Sequence, residues 1–573
     1  MSRLLSDDGV SWASTLAERS YKAGQRLERG GDQAGGGIRS GDIPVATRVS
    51  IPISVLIFKT AGFKPASEVF PSVGTPGCGA GRNALRMPLQ TASLRAVNIV
   101  DQIILRASAE RPALIADGVM LTFGDLLERV SQVAAWLDRC AGFRKDGVPR
   151  VGLACGNGVD YVILALGILK AGGCLVPVAE ELTAAERAEV VERTALCGLI
   201  LGKGESWRRD EARGFEKSTA AVWLPLDGGG LENEEEFSEL DPAFIRFSSG
   251  TTGKSKGVVL SHRKLRERIL AANAALQIGP GDRVLWMLPM AHHFAVSIVL
   301  YLYHGACTVI GTSHLAAEIL ETAKATRATV IYGAPFHHSL LAADNGGYAW
   351  PDLRLAVSTA APLPAAIAKG FRERFGKPLV QGLGIIEIGL PLLNTGGAGD
   401  SPTAVGRPLP AFDVELRDEE GMPVSVGSVG ELWIKGPGMF DAYLSPWQTV
   451  DEICVDGWFA TGDLAETDAA GRVYLKGRKK SVLNVSGMKV FPEEVELVLE
   501  RHPAVRRCRV SGCSHAVLGT VPVADVILHD GEPVPARELI HWCRDVLSIY
   551  KAPVRIRFVD ELPMTASGKI RRV

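Results

Sequence analysis

The stretch from residue 151 to residue 178 restricts this chain to few architectures. Val151-Gly152-Leu153-Ala154-Cys155 is a short apolar run that reads as a strand. Residues 160–170 read as a helix, and Ala171-Gly172-Gly173 stops it. Cys174-Leu175-Val176-Pro177-Val178 reads as the next strand. Strand, helix and strand in that order call for parallel strands layered with helices, an α/β fold. Residues 283–288, 329–333, 353–358 and 379–382 are further strand candidates of the same kind.

The texture then changes. After residue 400 or so, shorter β segments alternate with Gly and Pro turns, as at residues 429–436 and 471–477. The last ~95 residues hold two helical patterns, 492–501 and 536–547, and have the size of a small α+β domain. A chain of 573 residues is too long for one hydrophobic core. We expect a large domain over residues 93–478, built of layered α/β subdomains plus a β-rich subdomain. A small α+β domain follows over residues 479–573. Residues 1–92 differ from both. They carry Gly30-Gly31-Asp32-Gln33-Ala34-Gly35-Gly36-Gly37, and only residues 51–58 are strongly apolar. They are expected to be a weakly ordered extension, either a regulatory tail or residues ahead of the true start.

Lys plus Arg number 63 and Asp plus Glu 64, a net charge of −1, so the basic excess of a nucleic-acid binder is missing. The ten cysteines form no Cys-x-x-Cys pair and no zinc spacing, which suits reduced thiols in a cytoplasmic protein. No apolar run approaches the ~20 residues that a membrane span requires.

The densest local signal is Ser248-Ser249-Gly250-Thr251-Thr252-Gly253-Lys254-Ser255-Lys256-Gly257. Its glycines let backbone N–H groups turn towards a ligand and form an anion nest. Four hydroxyls (Ser248, Ser249, Thr251, Thr252) and two cations (Lys254, Lys256) suit a polyphosphate. Gly253-Lys254-Ser255 imitates the end of a Walker A loop, but that motif needs Gly at position 248 and a helix afterwards. Here Ser248 comes first and strand-like Gly257-Val258-Val259-Leu260-Ser261 follows, which argues against a P-loop NTPase. A plain flexible linker rarely joins hydroxyls, two lysines and flanking strands.

With its neighbours, this loop resembles the signature of the acyl-adenylate-forming superfamily, which includes acyl-CoA synthetases, non-ribosomal peptide adenylation domains and beetle luciferases. The resemblance spans about residues 95–573 and rests on several motifs in order. Leu288-Pro289-Met290-Ala291-His292 is similar to the Pro-x-x-His segment at the acyl pocket, which implies a catalytic-site place for His292. Taken alone, His292 and His293 would be ordinary interior histidines. Ser358-Thr359-Ala360-Ala361-Pro362-Leu363-Pro364 resembles the adenine-contacting loop and includes Ala361, with both usual glycines replaced. Gln381-Gly382-Leu383-Gly384-Ile385-Ile386-Glu387 resembles the strand and turn that usually read Tyr-Gly-x-Thr-Glu. Gly384 is then nucleotide-binding, and Glu387 stands where the family binds Mg²⁺, with Thr252 as a second metal position. Leu383 replaces the aromatic that stacks on adenine, and Ile386 replaces the Thr that meets the α-phosphate.

The later motifs match more fully. Gly457-Trp458-Phe459-Ala460-Thr461-Gly462-Asp463-Leu464 resembles the ribose motif, and a carboxylate such as Asp463 can accept from two vicinal hydroxyls. Gly477-Arg478-Lys479-Lys480 resembles the hinge, with Arg478 on the ribose and Lys480 at the pivot of a mobile small domain. Ser486 and Gly487 in Asn484-Val485-Ser486-Gly487 would line a pantetheine tunnel. Pro563-Met564-Thr565-Ala566-Ser567-Gly568-Lys569 resembles the loop of the catalytic Lys, here Lys569.

The resemblance implies ATP-dependent activation of a carboxylic acid to acyl-AMP, with Mg²⁺, and transfer of the acyl group to CoA. Phe294-Ala295-Val296-Ser297 carries Ala295 where amino-acid-activating relatives carry an Asp, which disfavours an amino acid. The apolar Ile385, Ile388, Leu390 and Leu392 point first to a medium or long acyl chain and second to an aryl acid. An acyl carrier protein in place of CoA stays open, as does a catalytically weakened homologue that only binds nucleotide or acyl groups.

Overall fold

The structure is a computed structural model that describes residues 98–106, 108–144, 147–180, 182–205, 221–247, 256–395, 401–485, 488–515, 519–529, 534–564 and 570. The expected weakly ordered extension, residues 1–92, lies outside the described residues.

Two large sheets form the α/β part. The first has nine strands in the order Arg407–Pro408, Gly389–Asn394, Leu379–Ile385, Leu355–Ser358, Val330–Gly333, Arg283–Trp286, Cys307–Ile310, Pro112–Ala116 and Val119–Thr122. Six neighbouring strands, from Leu379–Ile385 to Pro112–Ala116, are mutually parallel, and antiparallel strands close both edges. The second sheet has eight strands, and Arg150–Ala154 and Cys174–Pro177 lie side by side and parallel within it. The helix between them, Val159–Lys170, is buried along most of its length, as a helix that is apolar all round must be. Gly172, at φ +78°, takes the left-handed turn that ends it. The strand–helix–strand reading therefore holds, within one or two residues at each boundary.

The strand Pro242–Phe247 enters this second sheet and is followed by the antiparallel Gly257–Ser261, which in turn pairs with Ala442–Leu444. Alternation along these three strands divides their side chains between two cores. Phe244, Val258, Leu260 and Tyr443 enter the main apolar cluster. Ile245, Val259, Ala442 and Leu444 enter a separate one. Strands with successive side chains on opposite faces have no other way to be buried on both sides.

The helix His262–Leu276 starts immediately after Ser261, whose hydroxyl accepts from the Lys264 amide at 3.2 Å and caps it. Arg263 and Arg266 are exposed on this helix, whereas Leu265, Arg268, Ile269 and Ala272 face inwards. A third sheet is wholly antiparallel, Asp413–Arg417, Val429–Lys435, Phe459–Thr467 and Val473–Arg478. It is the β-rich texture expected after residue 400. The last sheet begins at Leu483–Val485 and carries the helices Pro492–Leu499 and Ala536–Val546 with a core of its own. The expected fold class, a large α/β part with a β-rich piece and a small α+β domain, is the observed one. Among the described residues all nine cysteines are free thiols, and no helix is long and apolar enough to cross a membrane.

Candidate active site

The turn that carries Glu387 is fastened from several sides. The strand Leu379–Ile385 ends, the chain turns with the Ile388 amide donating to the Ile385 carbonyl at 3.0 Å, and Gly389–Asn394 returns antiparallel. Gly389 sits at φ +112° with its Cα against the side chain of Arg268, where an added Cβ would come within 3.3 Å. The Phe440 amide donates to the Glu387 carbonyl at 2.7 Å. The Tyr443 hydroxyl donates to Glu387 Oε1 at 3.1 Å. A hydrogen bond to a carboxylate is worth about 1.5–3 kcal/mol, so this contact fixes the carboxylate's direction.

Arg268 holds the same turn from behind. Its Nη1 donates to the Ile386 carbonyl at 3.0 Å, and its Nε and Nη2 donate to the Gly438 carbonyl at 3.0 and 2.6 Å. Glu267 accepts from the Gly438 amide at 3.1 Å. Gly438 lies at φ +70°, and a Cβ there would fall 2.5 Å from the Arg268 amide nitrogen. Burial lowers the Arg268 guanidinium to about 10, partly offset by Asp441 and Glu387, so it remains a cation at neutral pH. Asp441 itself accepts from the Ser261 amide at 2.6 Å, which ties the segment before Tyr443 to the start of the Arg268 helix.

Lys256, the described end of the phosphate loop, is exposed and lies with Nζ 4.1 Å from the centre of the Tyr443 ring. Tyr443 therefore touches both the loop's last lysine and Glu387. Ala361 and Gly384 are exposed; the loop with Ala361 is linked to the Gly384 strand by Thr359 Oγ1 donating to the Gly382 carbonyl at 3.1 Å. Leu383, Ile385 and Ile386 are half-buried against the main core. The short helix Met290–His293 carries His292, half-buried, with its Nε2 turned inwards. Asn157 holds this segment, donating to the Leu288 carbonyl at 3.2 Å and accepting from the Met290 amide at 2.8 Å.

On the antiparallel sheet, Asp463 and Arg478 are directly opposite residues of paired strands. Arg478 Nε meets Asp463 Oδ1 at 2.6 Å, and its Nη1 donates to the Thr461 carbonyl at 3.1 Å. Gly462, at φ +72°, makes the bend beside them. Lys480 is exposed in the single turn Lys479–Ser481 that follows. The two side chains assigned to a ribose thus stand as one acceptor–donor unit.

Ser248, Ser249, Gly250, Thr251, Thr252, Gly253, Lys254, Ser486, Gly487 and Lys569 lie outside the described residues. Reading the sequence missed Tyr443, Arg268, Glu267, Asp441 and Asn157. A buried face at helical spacing around Arg268 was the one available signal.

Comparison with known proteins places the chain in a family. Residues 103–444 match the family described as AMP-binding enzyme, and residues 494–569 match the AMP-binding enzyme C-terminal domain. A long-chain-fatty-acid–CoA ligase of Yersinia pestis is 30% identical over 81% of this chain and 91% of its own length. A feruloyl-CoA synthase of an Amycolatopsis species is 28% identical over 81% and 95%. Among solved structures, an amide bond synthetase from Marinactinospora thermotolerans superposes with a TM-score of 0.72 at 25% identity, covering 82% of this chain and 97% of that one. The Bacillus subtilis o-succinylbenzoate CoA synthetase bound to its acyl-adenylate also gives 0.72 at 25% identity, over 83% and 97%.

Proposed function

The chain belongs to the AMP-binding enzymes, in the acyl-adenylate-forming CoA ligase group, and from that membership we propose that it activates a fatty acid with ATP and passes the acyl group to the thiol of CoA. One observation carries the reading: Glu387, Tyr443 and Lys256 converge at the end of the phosphate loop.

A carboxylate is a poor electrophile. Its attack on the ATP α-phosphate needs negative charge neutralised around an in-line phosphoryl centre more than it needs a base. The loop and Lys256 take the β- and γ-phosphates, Asp463 and Arg478 the ribose, and Lys569 bridges the carboxylate and the α-phosphate. Glu387 fits Mg²⁺: one oxygen is held by Tyr443, and Mg²⁺ beside a nucleotide is ordinarily bound through one or two carboxylates, phosphate oxygens and water. Mg²⁺ there supplies charge neutralisation on the phosphates. Among the described residues no cluster of three His, Cys, Asp or Glu offers a richer metal site. The small domain then turns about Lys480, withdrawing Lys569 and bringing Ser486 and Gly487 to the thiol. The reaction belongs to the cytoplasm, where ATP and CoA are at hand.

The acyl choice rests on Ala295, buried where an ammonium-pairing Asp would stand, and on the buried Ile388, Leu390 and Leu392. An aryl acid is the second reading. Hydroxamate trapping across a panel of fatty and aryl acids, with and without CoA and followed by product mass spectrometry, tests the proposal. Fatty acids should give acyl-AMP, and acyl-CoA once CoA is added. Adenylate without acyl-CoA would move the acceptor to a carrier protein, and no adenylate from any acid would sink the reading. Lys569→Ala should abolish adenylation and largely spare thiolysis of supplied acyl-AMP.

A further inference from the structure

Ile386 leaves an opening in the site, because the resemblance puts a Thr hydroxyl there against the α-phosphate. A cation lies close enough to fill it. Arg246 stands on Pro242–Phe247, two residues before the phosphate loop opens at Ser248. In the sheet, Arg246 pairs with Val258 and Val258 pairs with Tyr443. These three residues form one row across the strands, and residues in such a row point to the same face. Val258 and Tyr443 enter the main core, while their sequence neighbours Val259 and Ala442 enter the other. Tyr443 reaches Glu387 on that face. Arg246, about 10 Å away at its Cα, points the same way with a side chain long enough to converge on the same spot. Glu387 and Tyr161 are its charged and polar neighbours. Its Nε is buried and has no hydrogen-bond partner among the described residues. Buried guanidinium N–H groups are ordinarily satisfied, so an open one beside an anion site marks a place for a ligand oxygen.

We propose that Arg246 is an anion-contacting residue of this site, donating from its guanidinium to the ATP α-phosphate in place of the hydroxyl absent at Ile386. The inference rests on the adenylate-forming reading and adds a residue to it. Arginine suits the role because it stays charged when buried and offers a planar fork of donors to phosphate oxygens.

The test is calorimetric titration of AMP and of adenosine into the full-length chain. The unmodified chain should bind AMP more tightly than adenosine. Arg246→Met should lower AMP affinity about 10- to 100-fold and leave adenosine affinity unchanged. Adding Ile386→Thr to Arg246→Met should restore AMP affinity at least in part. Equal losses for AMP and adenosine, or no loss for either, would overturn the proposal. If the Met variant does not fold, Arg246→Gln and Arg246→Lys are read by the same ratio. Failure of all three to fold would make Arg246 a structural partner of Glu387 and overturn it as well. A chain that forms no adenylate from any acid defeats the proposed function, yet the AMP-to-adenosine ratio still decides Arg246. A chain that forms adenylate while Arg246→Met keeps its AMP preference defeats this inference alone.

Discussion

The Glu387 turn and the Asp463–Arg478 pair would touch the same nucleotide, yet they are built in opposite ways. The turn is held from inside the protein, by a buried arginine, a core tyrosine and two glycines packed against that arginine. The pair sits on an antiparallel sheet, with the Arg478 side chain 50% exposed and that of Asp463 11% exposed. The difference follows the chemistry. Charge develops at the phosphoryl centre, where preorganised groups in a water-poor setting act most strongly. In the proposed function the ribose would only have to be held, just before Lys480, where a domain that turns would need its contacts to break cheaply. A half-exposed ion pair of ~0–1 kcal/mol meets that need.

The sharpest way to break the comparison is Arg268→Met. It strips the donors from two carbonyls and should cost about 3–5 kcal/mol in urea unfolding, with adenylation lost alongside. A loss below about 1 kcal/mol would mean that the turn does not depend on its inner clamp. Tyr443→Phe is gentler. It should leave the fold intact and lower kcat for adenylation about 10- to 100-fold, with a raised Mg²⁺ requirement in pyrophosphate exchange. Unchanged Mg²⁺ dependence would separate Tyr443 from the carboxylate's aim.

Acid should act next, on the start of the Arg268 helix and on a second helix, Pro335–Ala343. Burial lowers His262, His337 and His338 to about 4, with Asp101 opposing the shift at His262. His262 opens the Arg268 helix, and its Nδ1 accepts from the Ile99 amide at 3.3 Å. Below pH ~6.5 the unfolded chain takes up protons that the folded chain refuses. Stability present above that pH therefore falls as pH drops towards 4, on the order of 2 kcal/mol for each histidine. Thermal melts from pH 7.5 to 4.5 should show a steady fall in Tm, and a flat profile would contradict the neutral buried state. The smallest effect is expected at the outer pair: Asp463→Asn should raise the ATP KM by up to about 10-fold and hold kcat within about 3-fold. A collapse of kcat instead would place the pair at the reacting centre.

Much of the fold could be read in the sequence because it is local. Short apolar runs closed by Gly, such as those around Ala171-Gly172-Gly173, announce their own ends. Asp463 and Arg478, which the structure pairs, could be picked out for a similar reason, since each lies inside a compact motif. Tyr443, Arg268 and Asp441 were not. Their partners Glu387, Ile386 and Ser261 are 56, 118 and 180 residues away, and no spacing rule reaches that far. Arg268 also hides among Arg263, Lys264 and Arg266, with only the helix's inward face to single it out.

The division of Pro242–Phe247, Gly257–Ser261 and Ala442–Leu444 between two cores bears on how such a chain can change length. One residue inserted within any of these strands would swap its faces, sending Arg246 or Tyr443 into the apolar cluster of Ile245 and Val259. Insertions and deletions are therefore confined to the segments between them. Drift in acyl or nucleotide preference has to proceed through loop length and side-chain exchange, while the three strands stay fixed in register.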